Sequence, residues 1–210
     1  KVRLTLLNFL EFAVWGAYLT SMGSFLANIG LGSDIGLFYS VQGFVSLIMP
    51  ALMGIVADRF IQAQKVLSLC HLLAGTFMLL ASFYCINSEG NVHFSILFSL
   101  YTASISFFMP TIALANSVSY NALDVAGLDA VKAFPPIRVF GTIGFIISMW
   151  IVDLSGWQTT SYQFLWSGIL SILLALYSLN MPKCTIETNT GNKTLAQALG
   201  LEAFRLFRNY

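Results

Sequence analysis

Two ionisable side chains, Glu11 and Arg138, stand inside long apolar runs. Within hydrocarbon an ionisable group costs several kcal/mol at least, so it normally faces a protein interior or a water-filled path. Counted from the charged ends of their runs, Glu11 lies roughly 10 Å deep and Arg138 roughly 5 Å deep. Several readings stay open: the two side chains pair with each other, Glu11 accepts a proton, or both reach back to the headgroups of one membrane face. Arg138, Thr142 and Phe145 follow spacings of four and three, so a cation, a hydroxyl and an aromatic ring share one stripe of a helix. Such a stripe suits a neutral, partly aromatic, hydroxyl-rich ligand, which Phe145 would stack on and Arg138 and Thr142 would hydrogen-bond. Gly141, Gly144 and Ser148 mark an adjacent stripe of small residues that permits close helix packing.

The remaining polar residues exclude more than they suggest. His71 and His93 fall at opposite ends of their runs, which argues against a shared metal site and reads each as an interfacial hydrogen bonder. Cys70, Cys85 and Cys184 show no metal or redox spacing; they read as packing residues, with Cys184 alternatively a linker thiol. Thr111, Asn116, Ser117 and Ser119 either line a cavity or, more commonly in lipid, satisfy nearby backbone and bridge helices. No nucleophile stands beside a base, and no ligand cluster or phosphate-binding glycine loop is present, so the chain does not read as an enzyme and needs no metal or cofactor. Ten basic residues against nine acidic ones give no electrostatic footprint for nucleic acid.

The elements that must position these residues are membrane helices. Only 9% of the 210 residues are charged, against about a quarter in a soluble domain, and a mean hydropathy of +0.79 makes lipid the natural solvent. Runs long enough to cross a hydrocarbon core of about 30 Å recur along the chain. They predict an all-α integral membrane bundle with six spans near 4–29, 34–57, 65–86, 93–121, 136–157 and 161–181. Lys1, Arg3, Arg59, Lys65, Lys132 and Lys183 flank alternate ends of these spans, and the intervening loops carry no Lys or Arg. The bias toward basic cytoplasmic loops then places both chain ends in the cytoplasm, as an even number of spans requires. Residues 182–210 read as a cytoplasmic linker, with apolar and charged positions from Thr194 to Tyr210 spaced as an amphipathic surface helix. The chain opens without Met and stops after that segment, so this reading expects a piece of a longer protein that continues into further spans. Six spans also admit division into two inverted sets of three, with Gly43-Phe44 and Gly144-Phe145 at corresponding places.

Longer motifs carry a resemblance. Gly54, Asp58 and Arg59, at the end of the second span, resemble the start of the loop motif between the second and third helices of the major facilitator superfamily, although the usual further basic residues are replaced by Phe60 to Gln64. The stretches Met49 to Asp58, Met109-Pro110-Thr111 with Asn116 to Tyr120, and Phe134 to Phe145 resemble bacterial nucleoside/proton symporters, as do Trp15-Gly16 and Gly200 to Phe204. The resemblance runs nearly end to end and covers the front half of such a transporter. It implies the amino-terminal six-helix half of a major facilitator fold, a 3+3 inverted repeat, in a bacterial cytoplasmic (inner) membrane. The function implied is proton-coupled nucleoside uptake by alternating access, with the proton as coupling ion and the missing carboxy-terminal half as partner. By the same resemblance Arg138, Thr142 and Phe145 are nucleoside contacts, and Gly54, Asp58 and Arg59 belong to a conformational latch. The remaining contacts and the proton-carrying acid belong to the second half. Glu11 matches no family motif, so its possible proton or ion-pair role rests on depth and charge alone. Two other functions stay open: half of an oligosaccharide/proton symporter, which the Pro135-Pro136 pair and Thr142 disfavour, and a six-helix membrane scaffold that transports nothing.

Overall fold

The structure, a computed structural model, describes residues 1–88 and 90–184. The linker expected after Cys184, its amphipathic helix and the Gly200 to Phe204 motif lie outside the described residues. The described chain runs through α1 (Val2–Gly16), α2 (Met22–Asn28), α3 (Ile35–Arg59), α4 (Ala63–Asn87), α5 (Phe94–Val125), α6 (Ala130–Leu154) and α7 (Tyr162–Ser178), with short 3-10 turns at Gly32–Asp34 and Trp157–Thr159. The α3 helix with its preceding turn, α4, α5 and α6 are each long and apolar enough to cross a membrane. The 17 residues of α7 are apolar too and span about 26 Å.

Two boundaries differ from the sequence reading for local reasons. The stretch read as a single first span is divided between α1 and α2, the regular helix giving way at Ala17–Ser21. Bonds from Ala17 N to Ala13 O and from Met22 N to Tyr18 O keep the spiral going, while the Leu19 carbonyl takes a bond from the Tyr39 hydroxyl of α3 at 2.8 Å. A backbone group freed within a membrane span thus finds a protein partner. The α6 helix begins at Ala130, not near 136, because the Asp129 carboxylate caps it by accepting from Val131 N at 3.0 Å. Pro135 and Pro136 therefore sit inside the helix, six and seven residues in.

Side-by-side packing pairs α1 with α6, α3 with α5, and α4 with both α5 and α7. Exchanging the first three spans with the last three turns the α1/α6 pair into the α5/α3 pair and returns α4/α7 to itself, which is the pairing of two inverted sets of three. The matching dipeptides do not carry this symmetry. A side chain at Gly144 would run into the Phe9 carbonyl, whereas Gly43 meets open space and Phe44 is exposed.

Glycines set the α1/α6 crossing. A Cβ at Gly16 would strike the backbone of Phe145, and one at Gly141 would strike Phe12 and the Arg138 guanidinium. Small residues let two backbones approach to van der Waals contact where lipid supplies no hydrophobic drive. Serines of the other spans bond carbonyls across helices: Ser68 to Ala175, Ser104 to Ala74 and Ser167 to Val14. The apolar core forms layers, with Leu7, Leu67, Val118 and Phe134 toward the end where the chain starts and Tyr18, Phe38, Tyr101 and Phe164 toward the other. At the first end Cys184 is buried and its N–H donates to the Gln64 side chain at 3.0 Å, so it is a packed residue and not a free linker thiol. Replacing Gly144 by Val is expected to destabilise the full-length protein by about 1–3 kcal/mol through overpacking, read as a lower thermal midpoint in detergent. Gly43→Ala, which fills open space, is expected not to lower it.

Candidate functional site

The fifth-span stripe predicted from spacing is present on α6, with Arg138 and Phe145 half-buried and Thr142 exposed. Arg138 does not reach Glu11. Its guanidinium lies 3.8 Å from the centre of the Phe12 ring on α1, a stacking that suits a weakly hydrated planar cation. Phe12 leads on to Trp15, whose ring stands edge to face with Phe145 at 6.3 Å and packs on Phe108 of α5. The α1/α6 glycine contacts hold this run of rings together.

Trp15 also lines an open cleft of about 380 Å³ between α1, α3 and α5, together with Gln42, Ser46, Met109 and Asn116. A second, wider cleft of about 700 Å³ continues along α5 past Asn116, Ser117, Tyr120 and Asn121. Of the fourth-span polar residues, Asn116 and Ser117 thus line clefts, while Thr111 and Ser119 are buried and bridge helices. Ser119 accepts from the Asn8 amide at 3.3 Å, tying α5 to α1. Gly54, Asp58 and Arg59 close α3 at the end of the bundle, where Gly54 faces open space and Asp58 is exposed.

Glu11 has other partners. It is fully buried, and its Oε2 lies 2.8 Å from Nε2 of His71 on α4, which is equally buried. Its Oε1 lies 2.7 Å from the Thr111 hydroxyl of α5. On the far side of the imidazole, Nδ1 is 3.1 Å from the Ser171 hydroxyl of α7, which itself donates to the His71 carbonyl at 2.8 Å. The carboxylate therefore joins α1 to α4 and α5, and the imidazole extends the link to α7. The sequence reading of His71 as an interfacial residue is corrected: it sits eight residues into α4, about 12 Å from that helix's start, and Glu11 sits nine residues into α1, about 14 Å from its start. Equal depth from the same end was the signal available for the pair. His93, by contrast, stands at the exposed start of α5.

Apolar spans paired as two inverted sets of three, polar-lined clefts and a buried carboxyl–imidazole pair define one half of a membrane transporter of the major facilitator fold. The chain belongs to the nucleoside H+ symporter family, whose profile it matches over residues 1–210. That is a family of transporters and not of enzymes, and its coupling ion is the proton. Similar proteins include the xanthosine permease of Escherichia coli K12, 41% identical over 99% of this chain and 49% of the permease, and the nucleoside permease NupG of the same strain, 38% identical over all of this chain and 49% of NupG. Crystal structures of the nucleoside transporter NupG and of a mutant of it align with TM-scores of 0.84 and 0.89 at 37% identity, over 99% of this chain and 50% of theirs. The chain thus spans about half the length of the relatives it matches.

The buried pair makes unequal demands on substitutions. Glu11→Ala leaves Nε2 of His71 without a partner in apolar surroundings and Thr111 with the Phe108 carbonyl alone, and is expected to cost about 3–5 kcal/mol in the full-length protein. Glu11→Gln keeps an acceptor for the imidazole and a second polar group for Thr111, and is expected to cost less than about half as much. Tryptophan fluorescence during thermal unfolding in detergent checks the ranking.

Proposed function

We propose that this chain is the amino-terminal half of a proton-coupled nucleoside transporter of the bacterial cytoplasmic membrane, working by alternating access about a site shared with a second six-helix half. The observation that supports this reading is the α6 stripe of Arg138, Thr142 and Phe145, in which the Phe145 ring meets Trp15, a residue of the open cleft. A nucleoside offers a flat base to stack and ribose hydroxyls to bond. Phe145 supplies an aromatic surface, Thr142 a hydroxyl, and Arg138 charge-assisted donors whose direction is fixed by the Phe12 ring beneath. Family membership over the whole chain and the nucleoside permeases among its relatives support the substrate class.

In this reading the exposed apolar faces of α3 and α6, including Phe44, Leu47, Val139 and Phe140, meet lipid and the second half. The basic residues gather at one end of the bundle, where the Tyr177 hydroxyl bonds the Arg3 carbonyl and Gln64 bonds Cys184. That end faces the cytoplasm by the positive-inside bias, which puts both termini of the chain there. Gly54, Asp58 and Arg59 lie at the same end. The exposed Asp58 at that helix end suits a latch that engages when the two halves rock together.

Uptake of labelled uridine by cells expressing the full-length protein, with unlabelled nucleosides or disaccharides as competitors, tests the substrate class. Nucleosides are expected to compete and disaccharides not to; the reverse pattern identifies an oligosaccharide carrier. Arg138→Ala is expected to weaken nucleoside binding by about 1.5–3 kcal/mol, tenfold or more in Kd by calorimetry. Unaltered binding would leave Arg138 a membrane anchor and support the scaffold reading.

A further inference from the structure

The hydrogen bonds around Glu11 constrain where protons sit. The Ser171 hydroxyl donates to the His71 carbonyl, so its oxygen is left to accept and Nδ1 of His71 must carry a hydrogen. One proton lies between Nε2 and Oε2, whichever atom owns it, and the pair with that proton is neutral overall. Thr111 has one hydroxyl hydrogen and two acceptors within reach: Oε1 of Glu11 at 2.7 Å and the Phe108 carbonyl at 2.5 Å.

That arrangement accommodates two proton counts with the hydrogen bond between Glu11 and Thr111 kept in both. In the neutral pair, Thr111 donates to Oε1. When one more proton enters from water it binds Oε1, forming an O–H bond that points at the Thr111 oxygen. The Thr111 hydrogen then turns to the Phe108 carbonyl, and the net charge rises from zero to +1. No bond other than this O–H is made, and the step reverses by the same rotation. We infer that Glu11, His71 and Thr111 form a proton-binding site in the amino-terminal half, loaded and emptied through rotation of the Thr111 hydroxyl. For its place in transport this rests on the proton-coupled reading above; proton binding itself does not.

The surroundings fit a site of this kind. Besides the pair, the titratable groups that feel Glu11 are the Cys70 thiol on α4 and the Arg138 guanidinium on α6, while α5 and α7 contribute the hydroxyls of Thr111 and Ser171. Beyond Ser171 the polar run continues into a void of about 10 Å³, close to the space one water molecule occupies, bordered by Tyr18, Ser104, Ser167 and Ser171. The Tyr18 hydroxyl is buried there and has no hydrogen-bond partner within the described residues. A water in that void would bond Tyr18 and the serines.

Infrared difference spectra of the full-length protein in lipid, recorded across a pH titration, read the site directly. Among the carbonyl stretches of protonated carboxylic acids that grow as pH falls, one component is expected to be lost in Glu11→Gln. Thr111→Val is expected to move that band to higher wavenumber, because the O–H loses its hydroxyl acceptor, and Thr111→Ser to return it. A pH-dependent spectrum with no component that Glu11→Gln removes, or a Glu11 component whose position ignores Thr111→Val, overturns the inference. No nucleoside is present in this measurement, so its outcome stands apart from that of the uptake experiments.

Discussion

An imidazole and a carboxylate can sit together in apolar surroundings only if each remaining lone pair and proton finds a partner. In this bundle that demand is met from four helices at once: Glu11 from α1, His71 from α4, Thr111 from α5 and Ser171 from α7. A shift of any one of them by an ångström or so would break a hydrogen bond of a fully buried group. The pair therefore fixes the relative depth of the helices as well as their contact. Serine hydroxyls bonded to carbonyls of neighbouring spans extend the same registration along the bundle.

The first helix connects this interior to the open side. Within five residues, Glu11 turns to the buried imidazole, Phe12 supports the Arg138 guanidinium, and Trp15 borders the cleft and touches Phe145. Gly16, Gly141 and Gly144 hold α1 and α6 in backbone contact, so movement of one is felt by the other. A change of charge at Glu11 and a ligand at the α6 stripe thus act on the same pair of helices. On the transport reading proposed above, that shared element would let proton load and substrate occupancy bias one rocking motion.

Much of this was legible in the sequence, for identifiable reasons. Apolar runs and charge placement imply membrane helices because lipid forbids unsatisfied backbone, and the Arg138, Thr142, Phe145 stripe follows from helical spacing alone. The partner of Glu11 was missed because it was sought among fixed cations. His71 matches its depth but was given the ordinary role of a histidine near a helix end. The interruption after Gly16 was hidden because Ala17 to Ser21 are compatible with a helix, and the carbonyl that permits the break is satisfied by Tyr39, far along the chain. The α6 start was placed near 136 because the span was sought in the apolar run, whereas the Asp129 cap one residue ahead of Ala130 sets it. Local sequence carries spacing and depth. It does not say which distant side chain closes a hydrogen bond.

The account turns on Glu11 and His71 acting as one unit, and a double-mutant cycle measures that directly. Unfolding free energies of the full-length protein would be compared for wild type, Glu11→Ala, His71→Ala and the double variant. Each single change strands a buried polar partner, so the double variant is expected to be more stable than the sum of the single losses implies, by a coupling of about 2 kcal/mol or more. Losses that simply add, within about 0.5 kcal/mol, would mean that the two side chains do not interact and would contradict the account.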